Sequence, residues 1–279
     1  MSTIRWLGDE DCHSAANVGG KAASLSRLVM LHTVPHGFAV PALAATTLAL
    51  PPDVAAAVAE GYRALGQHSG IAELPVAVRS SAIDEDGSET SFAGQHDTYL
   101  NIHGGDAVVD AVHRCVRSAA SGEALAYRKQ RGLSLADVRV AVLVQELVPS
   151  DVSAVAFSAN PLTGARDELM ITASWGLGES IVGGTVTPDT FVVSKPGAAI
   201  SWRDIAQKER MTVLAEHGTA ETDVPADLQG RPSLTDEQVL RIADLASRLE
   251  AAAGHPVDVE CAFAADTLYL LQCRPITTL

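Results

Sequence analysis

Four polar residues near the C-terminus are spaced so that they could hold a cation beside a phosphate. In Val257-Asp258-Val259-Glu260-Cys261-Ala262-Phe263 the apolar residues occupy odd positions, and further on Tyr269, Leu271 and Cys273 do the same. Side chains along a strand alternate between faces, so burying both odd sets together leaves Asp258, Glu260, Gln272 and Arg274 on the opposite face. That register requires an odd-length turn or a bulge near Ala265-Asp266. Two carboxylates and an amide are hard oxygen ligands suited to Mg2+, and the guanidinium beside them is a fixed cation for a phosphoryl group. The alternative is a solvent-facing strand pair whose charges have no further role.

Two further groups carry phosphate chemistry. Asn17-Val18-Gly19-Gly20-Lys21-Ala22-Ala23 sets two glycines and a lysine at the opening of a helix, where close backbone approach and a cation favour an anion. It is not a Walker A loop, because Ala22 follows Lys21 and Ala15 stands where the first glycine would be. A helix-entry turn with a solvated lysine is the competing reading. In Val76-Ala77-Val78-Arg79-Ser80-Ser81-Ala82 a short apolar strand delivers an arginine and two hydroxyls, followed by Asp84-Glu85-Asp86. Next comes Gly87-Ser88-Glu89-Thr90-Ser91-Phe92-Ala93-Gly94-Gln95, small and polar except for Phe92, as expected of a loop that closes over a ligand.

These residues need a scaffold, and periods of two and of 3.6 residues alternate along the chain, which predicts a mixed α and β fold. Helices are expected at 22–31, 53–65, 106–120 and 235–253. The last has a Thr235/Gln238 capping box, an apolar face of Val239, Ile242, Ala246 and Leu249, and Gly254 as its stop. Strands are expected at 76–79, 98–102, 138–144, 152–157, 168–173, 190–193, 257–263 and 268–273. The stretch 201–233 reads as an irregular connection, so residues 1–200 are expected to form the N-terminal and central subdomains and 201–279 a C-terminal one.

Composition narrows the function classes. The chain has 279 residues, 47% of them hydrophobic, enough for a sizeable core. Its 20 Lys+Arg against 34 Asp+Glu, net −14, would repel a nucleic-acid backbone. The most apolar stretch, 38–50, contains Pro41 and is too short to span a bilayer, so no membrane partner is expected. Cys12, Cys115, Cys261 and Cys273 form no C-x-x-C pair, and the acidic start lacks a leader's pattern, so reduced thiols and a cytoplasmic location are expected.

Taken together, Gly19 to Leu25, Arg79-Ser80-Ser81-Ala82 with Asp86, Ser91 to Gln95, Phe157-Ser158-Ala159-Asn160-Pro161, Gly176-Leu177-Gly178-Glu179 and Leu271-Gln272-Cys273-Arg274-Pro275 occur in an order seen in one family. Over nearly its whole length the chain resembles the ATP-binding domain of phosphoenolpyruvate synthase, pyruvate phosphate dikinase and rifampin phosphotransferase. The resemblance implies an α+β, ATP-grasp-like fold with ATP and Mg2+ in a cleft between subdomains. By position it implies that Lys21, Arg79 and Arg274 surround the phosphates, with Arg274 nearest the group transferred. It implies that Glu260 and Gln272 coordinate the metal, with Asp258 supporting them. Ser91, Phe92, Ala93 and Gly94 resemble the phosphate-covering loop. Gln145, Glu146, Leu147 and Val148 resemble the hinge whose backbone meets adenine, and Glu179 resembles a ribose contact. Ser158 stands where relatives more often carry threonine, and its hydroxyl resembles the one that hydrogen-bonds phosphate.

Relatives in that family continue into a substrate domain and a swivelling domain whose histidine carries the phosphoryl group. None of the nine histidines here, including His96, lies in the small-residue Ser-His setting of that carrier. The expected reaction is therefore transfer to a histidine on another domain or protein, giving AMP and phosphate, and thence to a small-molecule acceptor. A direct kinase leaving ADP and a non-catalytic nucleotide-binding module are the alternatives. Presence of Lys21, Arg79, Glu260, Gln272 and Arg274 as a complete set favours an enzyme.

Overall fold

The computed structural model describes residues 3–45, 49–83, 98–130 and 138–276. The loop expected over the phosphates, with Ser91, Phe92, Ala93, Gly94, Asp86 and His96, lies outside them. Residues 1–147 with 216–218 form one compact unit, and 148–215 with 219–279 a second. The chain therefore passes between units at Leu147/Val148, whereas the division placed at residue 200 falls inside the second unit.

The first unit runs β1 (Arg5–Trp6), α1 (Ala15–Leu28), β2 (Gly37–Ala44), α2 (Pro52–Ser69), β3 (Val76–Ala82), β4 (Thr98–Ile102), α3 (Gly105–Ser118), α4 (Gly122–Gln130) and β5 (Arg139–Glu146). Its antiparallel sheet has the order β1-β2-β5-β3-β4. Alternation divides the faces. Val76, Val78, Val140, Val142 and Val144 join Val54, Val58 and Leu65 of α2 and Val108, Val112 and Val116 of α3 in one core. The opposite set, Ala77, Arg79 and Ser81 with Leu143 and Gln145 across the register, faces α1, because Ala22 N donates to Ser81 Oγ. β2 was not expected from sequence. Pro41 cannot donate to a ladder, and the strand accommodates it where the β2/β5 register shifts between Val40 and Leu43.

The second unit runs β6 (Val152–Phe157), β7 (Glu168–Trp175), α5 (Glu179–Val182), β8 (Asp189–Ser194), β9 (Ala199–Asp204), β10 (Arg210–Leu214), β11 (Thr219–Asp223), α6 (Asp236–Ala253), β12 (Val257–Ala264) and β13 (Thr267–Pro275). An antiparallel sheet of order β13-β12-β6-β7-β8-β9 has α6 packed across it. The capping box forms as expected: Gln238 N donates to Thr235 Oγ1 at 3.2 Å and Thr235 N to Gln238 Oε1 at 2.9 Å. Gly254 closes the helix at φ 75°.

The stretch 201–233 is not irregular throughout, since it holds the end of β9 and the β10/β11 hairpin. Thr219-Ala-Glu-Thr-Asp is largely exposed, so it shows none of the polar and apolar alternation that announces a half-buried strand. A buried network anchors this region. Lys208 Nζ lies 2.6 Å from Asp189 Oδ1 with both side chains at 0% exposure, and Ser233 N and Oγ donate to Asp189 Oδ2 at 2.7 Å.

The α+β class agrees with expectation. Among the described residues no helix is long and apolar enough to cross a membrane, and the cysteines form no disulfide.

Candidate functional site

In the first unit, Gly19 has φ 76° and ψ 165°, a break that lets the remainder of α1 start against β3. A Cβ there would lie 2.0 Å from Ser81 O. The glycine is therefore demanded by helix-to-strand contact, whatever binds nearby. Lys21, two residues after this break, is 9% exposed and donates from Nζ to Ser80 O at 3.0 Å. It is not a solvated surface lysine. Arg79 shares its face of β3 with Ser81, so the fold brings Lys21 and Arg79 to the α1 side of one strand.

The hinge residues close β5. Gln145 is buried and donates to Pro35 O at 2.9 Å, and Glu146 accepts a short hydrogen bond from Ser69 Oγ. Glu146 N donates to His36 O at 2.8 Å and Leu147 N to Pro75 O at 3.0 Å. These side chains and amides therefore hold the end of the strand, and Val148 follows as the first residue of the second unit.

In the second unit the closing hairpin sets four polar residues together. Asp258 pairs directly with Arg274 and Glu260 with Gln272. Cross-strand partners share a face, so the grouping expected from parity is present. The location of the bulge was wrong. The turn is a two-residue Ala265-Asp266 connection with φ 44° and 64°, both left-handed as a type I′ hairpin requires. The extra residue is Leu271, between the Glu260/Gln272 and Cys261/Leu270 pairs.

Beyond that bulge the parity of β13 inverts. Leu270 and Leu268 pair with Cys261 and Phe263, while Tyr269 pairs with Ala262 and so moves to the face of Glu260 and Gln272. Arg241 of α6 lies over the Phe263 ring at 5.0 Å and donates to Asp266 Oδ1 at 3.0 Å, so the Phe263 face is the one against α6. Cys261 sits on this covered face, where burial first and the Glu260 charge second push its thiol up to about 12.

Arg274 Nε and Nη2 donate to Asp258 Oδ2 at 2.8 and 2.7 Å, with side-chain exposures of 29% and 8%. The other carboxylate oxygen, Asp258 Oδ1, is buried without a hydrogen-bond partner. Burial raises the Asp258 carboxyl above its ordinary value, Arg274 opposes the rise, and Glu260 adds to it. A cation would relieve both the orphaned oxygen and the crowding of two carboxylates. Among the described residues no three His, Cys, Asp or Glu side chains converge on one point. The set Asp258, Glu260 and Gln272 is thus oxygen-rich but incomplete, as for Mg2+ that takes its remaining ligands from phosphates and water.

The other expected contacts are in this unit as well. Glu179 opens α5 after Gly176-Leu177-Gly178, where Gly176 has φ 77° and a Cβ would lie 2.3 Å from Thr212 O. Ser158 is fully buried, accepts from Val257 N at 2.8 Å and donates its own N–H to Val257 O at 2.9 Å. It clamps the entry to β12, where the hydroxyl expected to meet phosphate accepts from the backbone. Sequence reading missed the Asp189–Lys208 pair, whose partners sit 19 positions apart with no shared periodicity.

Comparison with known proteins follows the same residues. The family model described as pyruvate phosphate dikinase, AMP/ATP-binding domain, matches residues 45–279, a range that begins after Lys21. A probable phosphoenolpyruvate synthase of Methanocaldococcus jannaschii is 43% identical over 231 residues, 82% of this chain and 19% of that protein. Phosphoenolpyruvate synthase of Pyrococcus furiosus is 42% identical over 243 residues, 84% of this chain and 30% of that protein. Rifampicin phosphotransferase of Bacillus subtilis is 41% identical over 230 residues, 82% of this chain and 26% of that protein. The chain therefore spans less than a third of the length of these relatives. The match covers most of the chain, including the hinge and the four-residue hairpin group. With the family model matched over residues 45–279 and relatives above 40% identical across most of its length, this chain belongs to the pyruvate phosphate dikinase AMP/ATP-binding domain family.

Proposed function

We propose that this chain is the Mg-ATP-binding part of a dikinase-type phosphotransferase with an ATP-grasp-like fold. The observation that carries the reading is the hairpin register, which sets Asp258 opposite Arg274 and Glu260 opposite Gln272 on one sheet face. In the proposed assignment Lys21, Arg79 and Arg274 neutralise the triphosphate, and Glu260 and Gln272 hold Mg2+ with Asp258 beside them. When bound, the cation offsets charge on the phosphate oxygens.

The protein's own contribution is orientation. Asp258 takes Nε and Nη2 of Arg274, fixing the plane of a guanidinium whose donors act on a phosphoryl group in flight. Lys21 is set against β3 by its bond to Ser80 O, beside Arg79 on the same face. By the family resemblance the phosphates are further assigned to Ser91–Gly94, adenine to the backbone of Gln145–Val148 and the ribose to Glu179.

The proposed acceptor is a histidine on another domain or protein, with AMP and phosphate as products and a small molecule as final acceptor. The relatives named as phosphoenolpyruvate synthase and rifampicin phosphotransferase, each more than three times as long as the matched stretch, support a multidomain setting. The test is incubation with ATP labelled separately at the β and γ phosphates, with and without candidate carrier proteins. AMP formed only with a carrier supports the reading. ADP identifies a direct kinase instead, and intact, tightly bound ATP a non-catalytic module.

A further inference from the structure

On the first unit, beside the end of β5, two imidazoles meet. His36 Nε2 and His68 Nε2 lie 3.2 Å apart, with ring centroids at 4.2 Å and planes at 66°. Both residues are exposed, His36 just ahead of β2 and His68 in the last turn of α2. As neutral rings they are joined by one N–H···N bond, in which one Nε2 carries the proton and the other offers its lone pair.

The same spacing suits a cation. Two nitrogens bound to one tetrahedral metal at about 2.0–2.1 Å stand about 3.3 Å apart. The geometry points to a two-histidine chelate for a late first-row divalent ion such as Zn2+, Ni2+ or Cu2+, stapling the end of α2 to the start of β2. For both Nε2 lone pairs to bind, the ring that carries its proton on Nε2 passes it through solvent to Nδ1. Both rings are then neutral Nδ1–H tautomers, and no proton is gained or lost. With ring centroids at 4.2 Å the lone pairs do not converge as placed, and the exposed rings turn about χ1 and χ2 to aim them. Water supplies the remaining positions. Imidazole nitrogen prefers these metals to Mg2+, so the site is chemically distinct from the oxygen-lined hairpin.

The staple has a local consequence. His36 O accepts from Glu146 N, and Ser69, adjacent to His68, donates to Glu146 Oε1. The metal would therefore brace two of the groups that hold the end of β5.

The test is calorimetric titration of the metal-stripped full chain with Zn2+ and with Ni2+ in excess Mg2+. Wild type, H36Q, H68Q and the control H217Q are compared, with two-bond 1H–15N imidazole spectra as a second readout. One site is expected, weakened about tenfold or more in H36Q and in H68Q, and unchanged in H217Q. The Nε2 signals of His36 and His68 should shift together. Because both side chains are exposed, the variants should fold as wild type does, and a thermal midpoint raised by Zn2+ in wild type should not rise in either. Affinity unchanged in either variant, equal loss in H217Q, or displacement by Mg2+ would each overturn the assignment.

Discussion

Arg274 and Asp258 face each other across β12 and β13, with two guanidinium nitrogens on one carboxylate oxygen at 2.8 and 2.7 Å and the second oxygen, Oδ1, buried and unpartnered. In the proposed assignment the pair serves two ends: it orients Arg274 towards phosphate, and it leaves an oxygen lone pair beside Glu260 and Gln272 for a hard cation.

Removing the arginine should separate catalysis from binding. Arg274→Ala is expected to leave ATP affinity within about tenfold while lowering phosphoryl transfer by about two orders of magnitude or more. It also strands Asp258, so stability should fall by about 1–3 kcal/mol. Adding Asp258→Asn should recover much of that stability and none of the transfer. Equal losses of binding and turnover would remove the transition-state role.

In the proposed assignment Glu260→Ala takes one anionic ligand from the metal set. The Mg2+ concentration for half-maximal nucleotide binding should rise, and Gln272→Ala should act in the same direction with a smaller effect. A superimposable Mg2+ titration for Glu260→Ala would exclude that carboxylate from the site.

Asp258 gives a pH signature with a definite sign. Its folded carboxyl is raised from the ordinary 3.8, chiefly by burial. On moving up from acid the unfolded chain loses this proton first, so the folded state retains a proton that the unfolded state lacks. Stability contributed by the group is therefore present below its unfolded value and is lost as pH rises through the folded one. Urea midpoints of wild type and Asp258→Asn, measured from about pH 4 upward, should diverge to the disadvantage of wild type. A gap that moves in favour of wild type would contradict the shift.

Gly19→Ala tests whether the glycine serves the fold itself. With φ 76° and a Cβ 2.0 Å from Ser81 O, the substitution must displace α1 from β3. A loss of about 2 kcal/mol or more is expected in chemical denaturation, with or without nucleotide. A neutral result would show that the backbone adjusts freely there.

Lys208→Met should leave Asp189 as a buried, unpaired charge and destabilise the second unit by about 3–5 kcal/mol. The double variant with Asp189→Leu should be less destabilised than the single one if charge burial dominates. Equal or greater loss would assign the cost to Ser233 and the backbone groups that Asp189 holds.

Local pattern carried a large part of the fold. The capping box and Gly254 specify α6 within a few neighbouring residues, and period-two alternation in β3, β6 and β12 distinguishes the faces. Signals were missing where they depend on more than one segment. β2 hides behind Pro41, tolerated only because the register shifts beside it, and β10 and β11 are too exposed to alternate.

Within the closing hairpin, sequence alone determined that Asp258 shares a face with Glu260 and Gln272 with Arg274, since side chains separated by two residues along a strand point the same way, and joint burial of the odd positions brought the two pairs together. Tertiary structure decided where the parity breaks. Leu270 and Leu271 are equally apolar, and only the fit of Leu268 and Leu270 beside Cys261 and Phe263 made Leu271 the bulged residue and turned Tyr269 to the other side. Lys21 follows the same rule: its spacing after the glycines is written in the chain, but its burial against Ser80, 59 positions away, follows from packing α1 on β3. Alternation is a property of neighbours, whereas bulges and buried cations depend on what a distant segment leaves room for.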